Sequence, residues 1–176
     1  MRIIAGRWRG RIIDAPPGRQ TRPTADRVRE AWMSAMQTEI PDSTVLDLFA
    51  GSGALGLELL SRGAAHVTFV ERGTPALRTL KANAAKLSVG DDEMTLVRGD
   101  PIDYAATVDE LAFDLAVADP PYHQGFAAEL LQLFNRKPFA RWFWVEHGAA
   151  ETLPALPALN TRRYGDTALT SITAPE

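Results

Sequence analysis

Apolar runs alternate with amphipathic stretches along most of this chain, and their spacing predicts strands and helices in turn. Val28, Ala31, Trp32, Ala35 and Met36 recur at helical spacing, behind Thr24 as a helix cap and Asp26 in the first turn. Residues 45–49 are a short run of strand formers that ends in the small-residue turn Ala50-Gly51-Ser52-Gly53, with a helical pattern directly after it. Further strands are predicted over residues 66–71, 94–98, 113–118 and 141–146. Between them, Gly63 ends one helix, and Thr74 caps the next, with Pro75 at its first position and Leu77, Leu80, Ala84 and Leu87 on its buried side. Residues 126–134 read as another helix, and Leu153-Pro154-Ala155-Leu156-Pro157 as a stiff irregular connection. Tyr164-Gly165-Asp166-Thr167 reads as the turn of a C-terminal antiparallel hairpin. Strands alternating with helices, closed by a hairpin, imply an α/β fold with a doubly wound, mostly parallel sheet.

The first twenty residues stand apart from that alternation. Two short strand-like runs, residues 2–5 and 11–15, flank Gly6-Arg7-Trp8-Arg9-Gly10, and Pro16-Pro17-Gly18 follows. This predicts a small N-terminal β-hairpin arm over residues 1–20 and one Rossmann-like domain over residues 21–176. A chain of 176 residues can bury a full core for such a domain.

Charge adds a second asymmetry. The first thirty residues hold eight arginines against Asp14, Asp26 and Glu30, a balance of +5, which leaves −8 for the rest of a chain whose net charge is −3. A basic arm on an acidic body points to a polyanion at one end only, and an all-arginine choice suits phosphate contact and stacking better than lysine. Arg7, Arg9 and Arg22 are therefore candidate RNA contacts, and Trp8 either stacks on a base or covers the sheet edge. If five net charges met phosphates, the log–log salt slope of binding would be about −3.5 to −4.5.

Some classes are set aside by composition. The chain has no cysteine, and its three histidines (His66, His123, His147) lack metal-ligand spacing, so no metal is expected. The early apolar run at residues 3–5 is too short for a signal-peptide core, and no run reaches membrane-spanning length. A soluble, cytoplasmic monomer without a membrane partner is the expectation.

The glycine turn satisfies G-x-G-x-x-G through Gly51, Gly53 and Gly56, a weak signal by itself. Asp47, four residues before the first glycine, sharpens it. A dinucleotide's pyrophosphate would be repelled by a carboxylate there, whereas S-adenosylmethionine brings an ammonium and a sulfonium that a carboxylate favours. Glu71 closes the second strand twenty residues after Gly51, the usual spacing for an acid on ribose hydroxyls. Asp47 and Glu71 could also be strand-end acids facing water. Asp100, ending the third strand, is either an acceptor for the adenine amino group or a helix cap ahead of Pro101.

Asp119-Pro120-Pro121-Tyr122 is the most specific chemical signal, at the carboxyl end of a central strand where open α/β sheets bind ligands. An exocyclic amino group on a base is a poor nucleophile because its lone pair is conjugated into the ring. The Asp119 carboxylate and the Pro120 carbonyl can accept both amino hydrogens and favour the tetrahedral nitrogen needed for attack. Tyr122 offers a face for the base, with stacking on the order of 1–3 kcal/mol. The bland alternative is an ordinary Pro-Pro turn with Tyr122 packed inward.

Taken together, these stretches resemble the bacterial RsmD family of class I S-adenosylmethionine-dependent methyltransferases, which act on the N2 amino group of one guanine in 16S rRNA. The likeness runs through Arg2-Ile3-Ile4-Ala5-Gly6, Thr21-Arg22-Pro23-Thr24, residues 26–31, 46–57, 61–64 and 119–122, and Tyr164-Gly165-Asp166-Thr167-Ala168-Leu169-Thr170. The resemblance implies Asp47, Phe49, Gly51, Gly53, Glu71 and Asp100 at the cofactor. It also implies Asp119, Pro120, Pro121 and Tyr122 at the target amine, and 16S rRNA or an assembling small ribosomal subunit as partner. Two departures stand out. Pro101 has no N–H for the adenine ring, which shifts that contact to Ile102 or weakens it, and Arg136-Lys137-Pro138-Phe139 lacks the glycine turn usual before the fifth strand. Rival readings are a DNA-adenine or protein-glutamine methyltransferase with the same tetrapeptide, an NAD-dependent dehydrogenase, and a non-catalytic RNA-binding module.

Overall fold

The computed structural model describes residues 1–15 and 23–176. Its centre is a strand set that is apolar on both faces, as strands covered by helices on both sides must be. These are β1 (Thr44–Leu48), β2 (His66–Glu71), β4 (Phe113–Ala118) and β5 (Ala140–Gly148), with β3 (Met94–Arg98) a partly exposed edge strand and β6 (Asn160–Tyr164) and β7 (Thr167–Thr173) closing the chain. The sheet order is β3-β2-β1-β4-β5-β7-β6, parallel throughout β1 to β5 and antiparallel at β5–β7 and β6–β7. This is the doubly wound sheet with a terminal hairpin that the periodicity predicts. The strand order reverses direction beside β1, so the loops after β1 and β4 part and leave a crevice at the carboxyl edge.

Helices α1 (Pro23–Ala35), α2 (Ala54–Ser61) and α3 (Thr74–Lys86) cover one face, and α4 (Pro101–Thr107) and α5 (Phe126–Arg136) cover the other. Helix α1 begins one residue ahead of the expected cap, Thr24. Thr74 also lies inside its helix, as the first residue of α3, since Gly73 occupies the cap position. Before β5, where a glycine turn was missing, Lys137 leaves α5 with φ −145° and Phe139 is fully buried against Phe134 and Phe143. Aromatic packing replaces the turn chemistry there.

The N-terminal arm pairs only briefly, through an Arg2–Ile12 bridge flanked by bonds such as Ile3 N–H to Arg11 O at 2.9 Å. Docking, more than its own ladder, holds it. Ile3 and Ile13 are fully buried in the same core as α1 and α2. Gly6 lies so close to α2 that a Cβ there would stand 1.8 Å from the Ser61 carbonyl oxygen. Glu58 of α2, fully buried, accepts the N–H groups of Ile4 (2.9 Å) and Ala5 (3.0 Å) and the Arg62 guanidinium (2.9 Å). Glu58→Ala leaves three part-buried donors without their acceptor, and urea unfolding is expected to show a loss of about 2–4 kcal/mol. A change below 1 kcal/mol would mean that the arm is not held by this carboxylate.

Candidate active site

The crevice at the β1/β4 reversal opens into a cleft of about 330 Å³ lined by Phe49, Gly51, Glu71, Arg72, Ala76, Asp100, Asp119, Pro121, Gln124 and Phe126. Four strand ends converge on it. Phe49, Glu71, Asp100 and Asp119 follow or close β1, β2, β3 and β4. The turn after β1 is shaped by backbone in the left-handed region: Phe49 at φ 58°, Gly51 at 58° and Gly53 at 86°. A bulky residue there stores strain of order 1–3 kcal/mol, and such strain gathers at functional sites. The Phe49 ring meets that of Phe126 at 5.2 Å, joining the β1 turn to the start of α5.

Glu71 does not simply face water. Its Oε2 accepts the Gly51 N–H at 2.8 Å and its Oε1 the Gly73 N–H at 2.7 Å, so the carboxylate is fixed in place with acceptor capacity left for hydroxyl donors. Asp100 fills one of its expected parts, the helix cap, and also stands on the cleft wall. Oδ1 caps α4 by accepting from Ile102 and Asp103, each at 3.0 Å, while the residue lines the cleft and its Oδ2 lies 3.9 Å from Arg72. The Ile102 N–H is thus taken by Asp100. The expectation that Ile102 replaces the N–H missing at Pro101 meets a competitor inside the protein.

Asp47 stands beneath the turn instead of on the cleft wall. Its Oδ2 accepts the Gly56 N–H at 3.0 Å, while Oδ1 is buried without a hydrogen-bond partner. Burial, reinforced by the Asp119 and Glu71 carboxylates and opposed by the Gly56 N–H, pushes its pKa up to about 8. The third glycine follows from the same packing. A Cβ at Gly56 would lie 2.2 Å from the Phe69 ring and 2.9 Å from Asp47 Oδ2. Gly53 also serves packing, with Leu80 only 3.0 Å from where its Cβ would be.

Asp119 lines the cleft, Pro120 behind it is buried, and Pro121 returns to the cleft wall. Tyr122 is half-buried. Its hydroxyl donates to Glu146 and lies 3.0 Å from the Thr167 hydroxyl, which ties the loop to β5 and β7. Burial and the Glu146 carboxylate hold the phenol well above its usual pKa, so it stays a donor. Sequence reading missed Arg72, Ala76, Gln124 and Phe126. Their one signal was position, since Arg72 and Ala76 follow the Glu71 strand end, and Gln124 and Phe126 follow the Asp119 loop.

The structure places the arm's tip away from this cleft. Arg7 and Trp8 donate their backbone N–H groups to Ser61 at the far end of α2, and Arg7 pairs with Glu93 just before β3. Both partners mark the amino edge of the sheet, opposite the cleft. Trp8 is only 8% exposed, with the Arg7 guanidinium over its ring at 4.0 Å, so it covers the domain and offers no open face. Arg11 bonds the Lys86 carbonyl, and buried Arg29 bonds the Arg2 carbonyl and Asp26. With three of the six described arginines among the first thirty residues bonded within the chain, this segment's share of the salt slope is expected to be smaller than full charge would give. Arg9 is exposed, and Arg22 lies outside the described residues. Among the described residues no cluster of three or more acids or histidines could hold a metal ion, and no helix is long and apolar enough to cross a membrane.

Comparison with known proteins fits this geometry. Residues 1–172 match the family described as conserved hypothetical protein 95. The chain is 35% identical over 161 residues to ribosomal RNA small subunit methyltransferase D of Escherichia coli (strain K12), covering 90% of this chain and 80% of that one. The protein of the same name from Haemophilus influenzae is 37% identical over 134 residues, 76% of this chain and 69% of the relative. The solved structure of yhhF from Escherichia coli superposes with a TM-score of 0.83 at 33% identity, over 99% of each chain.

Proposed function

This chain belongs to the RsmD family, the family described as conserved hypothetical protein 95, and on that premise we propose that it transfers a methyl group from S-adenosylmethionine to the exocyclic N2 amino group of a guanine in 16S rRNA. The observation that carries the reading is one cleft shared by Asp119 of the Asp-Pro-Pro-Tyr loop with Gly51, Glu71 and Asp100 of the nucleotide-binding turns.

The lining residues fit that donor. Glu71, Asp100 and Asp119 outnumber the single cation Arg72, an acidic wall that suits a cationic donor and repels a pyrophosphate. The space before Gly51 is open, since a Cβ there would meet nothing within 4 Å. Asp47 adds a buried carboxyl with one unpartnered oxygen next to Asp119 and Glu71. Glu71 and Asp100 would hold the nucleoside, and Phe49 would pack beside it. When bound, S-adenosylmethionine supplies an electrophilic methyl on a positively charged sulfur.

The chain's own residues then handle the amine. The Asp119 carboxylate and the Pro120 carbonyl accept the two amino hydrogens and turn the nitrogen lone pair out of the ring. The anchored Tyr122 gives the flipped base a fixed aromatic neighbour. Alignment of this kind can supply ~7–11 kcal/mol of the barrier. The target is a base in a loop, because unpaired bases cost least to extract. The partner is 16S rRNA or the assembling small subunit, met in the cytoplasm by a single copy of the chain.

Labelled S-adenosylmethionine offered with small ribosomal subunits, naked rRNA, duplex DNA and a release factor tests this. Label is expected in 16S rRNA alone. Label in DNA or protein would reject the substrate, and RNA binding without any label would leave a non-catalytic module.

A further inference from the structure

A second cavity, of about 430 Å³, adjoins the target loop and is lined by His123, Ala149, Ala150, Arg163 and Asp166. It belongs neither to the donor cleft nor to the tetrapeptide. His123 is the residue after Tyr122, and the two rings meet edge-on at 6.2 Å. The wall is therefore shared with the loop that holds the target base.

Hydrogen bonds tie the His123 side of the cavity to the end of β5. His123 sits at φ 60°, in the left-handed region. Its N–H donates to Glu151 at 3.0 Å, and the other oxygen of the same carboxylate accepts from Gly148 at the end of β5. A Cβ at Gly148 would lie 3.0 Å from the His123 ring, so the imidazole is laid against bare backbone. The Ala149 N–H bonds the Asp166 carbonyl at 2.8 Å, tying the floor to the hairpin turn. Arg163 is exposed on the edge strand β6.

We propose that this cavity receives the nucleotide that flanks the target guanine in the RNA strand, an inference that rests on the rRNA reading above. Extracting a base leaves its neighbour without a stacking partner, and single-stranded bases are recognised by stacking on aromatic rings or guanidinium planes. His123 offers the ring. Arg163 offers a guanidinium for the linking phosphate. Asp166 accepts an exocyclic amino group and disfavours a bare phosphate, so the occupant is a nucleotide whose base carries donors. The small Ala149 and Ala150 leave the floor open to a base.

Arg163→Ala and His123→Ala, assayed on small ribosomal subunits from cells lacking this methylation, test the assignment. Each variant should raise KM for the subunit ~10-fold, the value of one lost base or phosphate contact, with kcat within about twofold. Arg163→Ala should also flatten the log–log salt slope by roughly 0.7, one single-strand phosphate, and Arg163→Lys should restore it. Affinity for S-adenosylmethionine and the Tm should match wild type. Unchanged KM and slope in Arg163→Ala, with active wild type, would overturn the cavity assignment alone, as would a KM change matched by lost donor affinity. Wild-type protein inactive on small-subunit rRNA would remove the functional reading and this inference with it.

Discussion

Asp119→Ala is expected to lower kcat for methyl transfer by roughly 10²–10³-fold, the usual cost of removing one preorganised hydrogen-bond partner from a reacting group. KM for RNA should change little if the carboxylate acts chiefly on the amine as its nitrogen becomes tetrahedral. Affinity for S-adenosylmethionine should then fall only by the loss of one of three wall carboxylates, well short of the fall in kcat. Asp119→Asn should retain more activity than alanine, since the amide oxygen still accepts one amino hydrogen. Single-turnover methylation with saturating donor separates these effects. A variant with lost donor binding and normal chemistry would make Asp119 a cofactor ligand and not a partner of the amine.

The second large effect concerns stability. Asp47 has its pKa raised from 3.8 to about 8 in the folded protein, so the folded state keeps a proton that the unfolded state releases. The associated stability is complete below about pH 4 and is lost as pH rises towards 8. At pH 7 that loss is on the order of 4 kcal/mol. Asp47→Asn keeps the acceptor for Gly56 and removes the titration. It should therefore raise Tm near pH 8, by roughly 10 °C, and flatten the Tm–pH curve between pH 5 and 8. If Asp47 serves the donor, such a gain carries a cost in binding. A cationic donor favours the ionised carboxylate beside Asp119 and Glu71, so wild-type affinity should climb with pH from 6 to 8 while the variant's stays flat. Thermal melts and calorimetry over that range decide it. A variant less stable than wild type at pH 8 would contradict the account.

Asp47 also shows what a sequence can and cannot reveal. Its distance from Gly51 marks it as part of the turn, yet that spacing does not say whether it faces ligand or backbone. Local signals carried the strands, because continuous apolar runs bounded by glycine and proline admit few alternatives. They also carried the Gly165-Asp166 hairpin turn and the β1–turn–α2 opening. Docking was not legible. Arg7-Trp8-Arg9 between glycines leaves open whether Trp8 meets a base or covers the sheet edge, whereas in the fold Gly6 touches Ser61, and Glu58, polar within an apolar helix, is buried to receive backbone from residues over fifty positions away. Partners so distant leave no trace in periodicity. Tyr122 is similar: the motif places it, and only the fold shows Glu146 and Thr167 fixing its hydroxyl.

The most direct test of the central claim, that Asp119 and Pro120 hold an exocyclic guanine amine beside the methyl donor, is nucleoside mass analysis of 16S rRNA after methylation by the wild-type protein and by Asp119→Ala. The account predicts N2-methylguanosine as the one new nucleoside, nearly absent with the variant. A methyl group on a ring nitrogen or a ribose hydroxyl would contradict it, and so would equal N2-methylguanosine from both proteins.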